Sequence, residues 1–255
     1  MRRAWRAAAA AALVGAAATA AACSSTGPTA GAPDGTGGAT VLAASSLAQA
    51  FTALAPGNRY SFAGSDQLAF QVTQGAPADV VATASPRYTQ ELFAKGLVER
   101  PRAFATNRLV VVVPVANRAA VRGVRDLARP GVKLVIGDAG VPVGAYARDA
   151  LRRLGLGVAL RNVVSEEQDA GAIAAKVALG EADAGVVYAT DARPVRDRVA
   201  TVPVPAAAQP VIRYEVAVVT RAPHRDAARA FVRRLLGAPG RHELAAHGFR
   251  PPPAP

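Results

Sequence analysis

Short apolar runs alternate with helix-length segments along most of this chain, and this alternation constrains the fold more than any other feature. The clearest run is RLVVVVP at residues 108–114, a continuous apolar strand of the kind found in sheets that are covered on both faces. Helical patterns follow other runs and end at glycines such as Gly75 and Gly96. Strands that alternate with helices predict an α/β protein with mostly parallel sheets.

The folded part is long enough for one large α/β lobe or two smaller ones. Two lobes bring the loops at the carboxyl ends of their strands to a shared cleft, which is where α/β proteins bind ligands. We expect lobe 1 to comprise residues 40–113 and 212–249, and lobe 2 to comprise residues 114–211. The crossovers near Val113 and Val211 would act as a hinge, and a proline-rich tail would occupy residues 250–255.

The N-terminal residues 1–22 are typical of a secretory signal peptide, because three arginines precede an alanine-rich stretch that is too short and weakly apolar to span a membrane. The only cysteine, Cys23, follows small residues at the predicted cleavage point, as in bacterial lipoproteins. The alternative is an ordinary signal peptide with an incidental cysteine. Residues 23–39 would form a flexible tether. We therefore expect export and lipid anchoring at the outer face of the cell membrane.

Composition and motifs argue against several functions. The net charge is +12, but the arginines are dispersed and aromatic residues make up only 5% of the chain, so we predict no nucleic-acid binding. One cysteine and three histidines are too few for a Cys/His metal site. No phosphate-binding loop and no G-x-S-x-G elbow is present. We therefore predict a binding protein and no enzyme, with a secreted hydrolase as the remote alternative.

Polar segments follow several of the predicted strands, and three of them come directly before a predicted helix. These are AASSL (43–47), the segment 61–80 and VPVGAYA (141–147), while VVYATDA (186–192) supplies a tyrosine. Helix N-termini carry unpaired N–H groups and a partial positive charge, so several of them together can hold an anion without Lys or Arg. A fully ionised oxyanion only accepts hydrogen bonds, which suits neutral donors. The sequence predicts a site for a tetrahedral oxyanion.

These segments, together with NRLVVVVP, GEADAGVVYATDA and a terminal HGF, resemble the periplasmic molybdate-binding proteins of molybdate ABC transporters over about residues 40–249. The resemblance implies a two-lobe, type II periplasmic binding protein fold with the ligand in the interlobe cleft. It also implies molybdate or tungstate as ligand, no cofactor, a monomer, and the permease and ATPase subunits of an ABC importer as partners. Sulfate, thiosulfate and small organic acids are the alternative ligands, although an organic acid normally calls for an arginine clamp.

The resemblance assigns five ligand residues, which would contact molybdenum only through the oxygens of molybdate. Ser46 and Ser65 would each donate through the hydroxyl and the backbone N–H, and Tyr188 would donate through its hydroxyl. Val143 and Ala170 would donate through the backbone N–H alone. Next to Ser65, we expect Gly64 to permit a close approach of backbone. The carboxylate of Asp66 would repel a dianion, so we expect it to point outward or to serve as the negative charge of a helix N-terminus.

Overall fold

The computed structural model describes residues 38–252, which form two five-stranded sheets with helices packed on them. The predicted signal peptide, Cys23 and most of the tether lie outside the described residues. The ten strands of the described part are β1 Thr40–Ala44, β2 Arg59–Ala63, β3 Val80–Thr83, β4 Arg102–Asn107, β5 Leu109–Pro114, β6 Leu134–Gly137, β7 Val163–Glu167, β8 Ala184–Tyr188, β9 Val199–Pro203 and β10 Ile212–Val218.

The described residues also form eight α-helices, the last two of which follow β10, and several short 3-10 helices. One of these, Ser45–Leu47, leads directly into the first α-helix. The α-helices are α1 Ala48–Leu54, α2 Ser65–Thr73, α3 Pro86–Ala94, α4 Pro142–Arg153, α5 Ala170–Ala178, α6 Ala189–Ala192, α7 Arg225–Leu236 and α8 Ala238–Ala246. As the sequence predicted, α2 and α3 are followed by Gly75 and Gly96, which have φ values of 79° and 69°. Glycine adopts this left-handed conformation without steric cost.

The two sheets have the same mixed topology. The strand order is β2-β1-β3-β10-β4 in sheet 1 and β7-β6-β8-β5-β9 in sheet 2. In each sheet two strand pairs are parallel and two are antiparallel, so the expectation of mostly parallel sheets needs correction. The reason is that β5 and β10, the strands that enter a sheet from the other one, each run antiparallel to both of their neighbours.

The first crossover between the sheets lies earlier than the sequence suggested. Strand β5 was expected to end lobe 1, but it pairs with β8 and β9 in sheet 2. The chain therefore changes sheets at Arg108 instead of near Val113. The composition of a continuous apolar strand does not tell which sheet it joins, because both sheets bury such strands. The second crossover, between β9 and β10, contains the predicted Val211.

Helices cover both faces of sheet 1, and this fixes the positions of the loops that follow its strands. In β1, Val41 and Ala43 belong to the larger apolar cluster, whereas Leu42 belongs to a second cluster with residues of α2 and α3. Strands β4 and β9 were not predicted, and both are edge strands with partly exposed residues. No helix within residues 38–252 is long and apolar enough to cross a membrane.

Candidate functional site

All five residues that the resemblance assigned line one small cavity between the two sheets. Sheet 1 contributes the ends of β1 and β2 and the residues after them, and sheet 2 contributes the starts of α4 and α5 and the end of β8. The lining residues are Ala44, Ser45, Ser46, Ala63, Gly64, Ser65, Ala84, Val141, Pro142, Val143, Asp169, Ala170 and Tyr188. The cavity volume is about 10 Å³, close to what one ordered water needs, and therefore far smaller than a sugar or a peptide requires.

Ser65 is the first residue of α2 and is 1% exposed. The backbone N–H of Ala84 donates to its Oγ at 3.0 Å. Because the oxygen already accepts this bond, the hydroxyl hydrogen of Ser65 remains available to another acceptor. The position at a helix N-terminus adds a favourable potential for an anion.

Tyr188 ends β8, and its hydroxyl is the clearest sign that the cavity receives a ligand. The residue is 2% exposed and its Oη has no hydrogen-bond partner. Burial raises the pKa of Tyr188 well above its ordinary value, so the hydroxyl keeps its proton and can donate. A buried polar group without a partner costs about 1–3 kcal/mol, and an acceptor in the cavity would remove that cost.

The two residues expected to donate through the backbone lie at the N-termini of α4 and α5. Val143 is the second residue of α4 and Ala170 is the first residue of α5, and both side chains are buried. The first N–H groups of a helix have no partner within it, so these positions can donate into the cavity. Gly144 lets α4 start close to the end of β6, since a Cβ at this position would clash with the carbonyl oxygens of Gly137 and Asp138.

Two carboxylates lie near this site, and the sequence prediction included only one of them. Asp66 is the second residue of α2, as expected for a helix N-terminal charge, but its Oδ1 is buried without a hydrogen-bond partner instead of pointing outward. Asp169 caps α5, and its Oδ1 accepts from the N–H of Ala172 at 2.9 Å. This bond holds the Asp169 carboxylate against the first turn of α5. None of the residues that line the cavity is Lys or Arg.

A second, larger cavity adjoins the first and contains another buried carboxyl group. Its volume is about 140 Å³, and Ser46, Thr190, Asp191 and His247 are among its lining residues. Burial raises the pKa of Asp191 to about 7, although the hydrogen bond from Thr190 opposes this shift. At neutral pH the Asp191 carboxyl group is therefore partly protonated, which reduces the negative charge near the first cavity.

Contacts between elements of the two sheets hold this arrangement closed. The side-chain amides of Gln67 and Gln168 are 3.3 Å apart, and the hydroxyl of Tyr88 donates to the carbonyl of Gly140. Gly64 faces the carbonyl oxygen of Gln168 so closely that a Cβ would clash with it. The expected close approach at Gly64 is thus present, and the group that approaches is the backbone of the opposite side of the cavity.

The comparisons with known proteins agree with this geometry. The model of the family described as bacterial extracellular solute-binding proteins matches residues 36–250. The chain belongs to this family. This is a family of binding proteins and not of enzymes, so the predicted choice of binding over catalysis is confirmed.

Relatives of this solute-binding protein carry a more specific name. Molybdate-binding protein ModA of Mycobacterium tuberculosis is 38% identical over 252 residues, which are 95% of this chain and 94% of the relative. Molybdate-binding protein ModA of Haemophilus influenzae is 34% identical over 230 residues, 82% of this chain and 89% of the relative. The periplasmic molybdate-binding protein of Azotobacter vinelandii has the same fold, with a TM-score of 0.75 at 19% identity over 84% of this chain and 99% of that one.

Proposed function

We propose that this protein captures molybdate outside the cytoplasm and delivers it to the permease and ATPase subunits of an ABC importer. The observation that carries the proposal is the hydroxyl of Tyr188, buried and without a hydrogen-bond partner. The one carboxylate that lines the cavity, Asp169, accepts from the N–H of Ala172, and the other polar side chains of the lining are neutral hydroxyl groups. A fully ionised oxyanion offers four acceptor oxygens and no hydrogen, so it pairs with such a shell completely. The names of the relatives support molybdate as the anion.

The proposed ligand shell consists of the hydroxyls of Ser46, Ser65 and Tyr188 and the backbone N–H groups of Val143 and Ala170. The two serines come from the side of sheet 1, and the other three residues come from the side of sheet 2. An anion in the cavity would therefore bridge two lobes, with the crossovers at Arg108 and between β9 and β10 as the hinge. Tungstate has nearly the same size and charge as molybdate, and we expect it to bind as well.

A comparison of four oxyanions distinguishes this proposal from its nearest rival, a binding protein for sulfate or thiosulfate. We expect molybdate and tungstate to raise the melting temperature of the protein, whereas sulfate and phosphate at the same concentration leave it unchanged. A ligand at a hundredfold excess over its Kd stabilises the native state by about 2.7 kcal/mol. A thermal shift assay measures this, with chloride at matched ionic strength as the control. An equal shift with sulfate would contradict molybdate specificity and leave the oxyanion site standing.

Anchoring through Cys23 is a separate part of the proposal, because this residue lies outside the described residues. Cys23→Ser should release the protein from the membrane fraction without a change in affinity for molybdate. Each methylene of a lipid chain that enters the bilayer contributes about 0.8 kcal/mol, so the loss of the chain shifts the partition strongly. Immunoblots of membrane and soluble fractions measure this, with Ser25→Ala as the matched control. Unchanged fractionation of Cys23→Ser would rule out the anchor.

A further inference from the structure

A buried polar network connects Ser46 to the first crossover between the sheets. The Oγ of Ser46 is 2.9 Å from the Oη of Tyr214 in β10. The Nδ2 of Asn107, at the end of β4, donates to the same Oη at 3.2 Å and to the Oγ1 of Thr190 at 2.9 Å. The cavity shell described above does not include Asn107 or Tyr214.

The side-chain oxygen of Asn107 fixes the orientation of its amide group. The backbone N–H of Arg108 donates to the Oδ1 of Asn107 at 2.9 Å. If the amide were turned over, its NH₂ group would face this N–H, and two donors would meet. The Nδ2 therefore faces Tyr214 and Thr190, and an amide nitrogen only donates.

The direction of the remaining hydrogen bonds follows from this orientation. Because the Oη of Tyr214 accepts from Asn107, its own hydrogen is directed to the Oγ of Ser46. Burial raises the pKa of Tyr214 far above its ordinary value, so this hydrogen is always present. The Oγ of Ser46 accepts it, which leaves the hydrogen of Ser46 free to donate into the cavity.

The hydroxyl hydrogen of Ser65 is also left free, but through a different donor. Its Oγ accepts from the backbone N–H of Ala84, so its hydrogen is also free. The two serines are thus arranged alike: each oxygen is occupied by a donor, and each hydrogen is left for a ligand. For Ser65 the donor is the main chain, whereas for Ser46 it is the side chain of Tyr214, which can be changed by mutation.

We propose that Tyr214 and Asn107 are positioning residues that make Ser46 a hydrogen-bond donor toward the bound oxyanion. This inference rests on the proposed function, since it concerns the same cavity. Without the network the hydroxyl of Ser46 could turn and present its oxygen lone pairs to the ligand. A dianion would be repelled by these lone pairs, so fixing the direction favours binding of a ligand that only accepts.

The hydroxyl of Tyr214 can be removed without removing the ring. The ring packs edge-on against Phe104, Tyr188 and Phe249, with centroid distances of 6.1, 6.0 and 5.3 Å. Phenylalanine at position 214 keeps these contacts. Tyr60→Phe is the matched control, because the hydroxyl of Tyr60 lies 2.8 Å from the carbonyl oxygens of Phe51 and Ala55, which do not line the cavity.

The test is a double-mutant cycle measured by calorimetric titration with molybdate. We expect Tyr214→Phe to weaken binding by about three- to tenfold in the native background. In a Ser46→Ala background the same change should alter the Kd less than about twofold, because the group that Tyr214 directs is absent. Tyr60→Phe should leave the Kd unchanged in both backgrounds. A thermal melt of each variant without ligand verifies folding.

Two results would overturn the inference: a native Kd for Tyr214→Phe, or an equal loss of affinity with and without the Ser46 hydroxyl. If Tyr214→Phe fails to fold, Asn107→Leu removes the donor that directs Tyr214 and is expected to show the same dependence on Ser46. If the native protein binds sulfate or tungstate but no molybdate, only the choice of ligand fails, and the cycle is run with the anion that binds. If no oxyanion binds, both the proposed function and this inference are wrong.

Discussion

Tyr188→Phe should weaken molybdate binding about ten- to a hundredfold and at the same time leave the ligand-free protein as stable as the native one or more stable. The loss of affinity follows because one charge-assisted hydrogen bond, worth about 1.5–3 kcal/mol, disappears. The gain in stability follows because the Oη of Tyr188 is buried without a partner, and phenylalanine removes that unpaired group while keeping the ring. Calorimetric titration measures the affinity, and urea unfolding measures the stability.

Val143→Ala is the control, and it should behave in the opposite way. The side chain of Val143 is 1% exposed, so its truncation leaves a gap and lowers the free energy of unfolding by about 1 kcal/mol. Its proposed contribution to the ligand is a backbone N–H, which alanine retains, so the Kd should stay near the native value. The ligand shell is wrong if Tyr188→Phe binds normally or if Val143→Ala damages binding as much as Tyr188→Phe does.

Ser65→Ala tests the same shell less cleanly. It removes a donor to the ligand and also deprives the buried N–H of Ala84 of its acceptor, so affinity and stability should both fall. Tyr188→Phe separates the two quantities, because the hydroxyl of Tyr188 has no hydrogen-bond partner in the protein.

The sequence predicted the place of the site because the chain of an α/β protein changes direction at the carboxyl ends of its strands. Ser46 and Ser65 come just after strands of sheet 1, Tyr188 ends a strand of sheet 2, and all three line one cavity. The strand and helix pattern alone predicted that these segments share an anion site, whereas the choice of the five ligand residues came from the resemblance and stays a prediction. The lobe boundary was wrong and two strands were missed where composition carried no information: the apolar residues of β5 suit either sheet, and the edge strands β4 and β9 are only partly buried.

The sequence could not predict which groups orient the two serines. Tyr214 lies 168 positions after Ser46 in the chain. The donor to Ser65 is the backbone N–H of Ala84, and no sequence motif indicates which backbone group contacts a side chain. The sequence likewise does not predict the burial of Asp191, since aspartate side chains are ordinarily exposed. Such features depend on which segments the crossovers bring together, and the local pattern of residues does not encode them.

Gly64→Ala should lower the affinity for molybdate by tenfold or more without disturbing either sheet. Gly64 has φ −62° and ψ 145°, a conformation that alanine adopts freely, so its own backbone does not require glycine. What opposes a Cβ is the carbonyl oxygen of Gln168 on the opposite side of the cavity, and a side-chain oxygen of Asp66 that can rotate away. Overpacking of this kind costs about 1–3 kcal/mol, and here the cost falls on the closed arrangement.

Gly57→Ala is the matched control for this prediction, because a Cβ at Gly57 meets no atom within 4 Å. Titration with molybdate measures the affinity of both variants, and small-angle X-ray scattering with and without molybdate measures closure. The native protein and Gly57→Ala should become more compact with molybdate, whereas Gly64→Ala should change less. Native affinity for Gly64→Ala would mean that the approach of Gln168 to Gly64 plays no part in binding. A loss of affinity confined to Gly64→Ala would instead show that the serines and Tyr188 bind the anion only when the backbone at Gly64 and Gln168 is in contact.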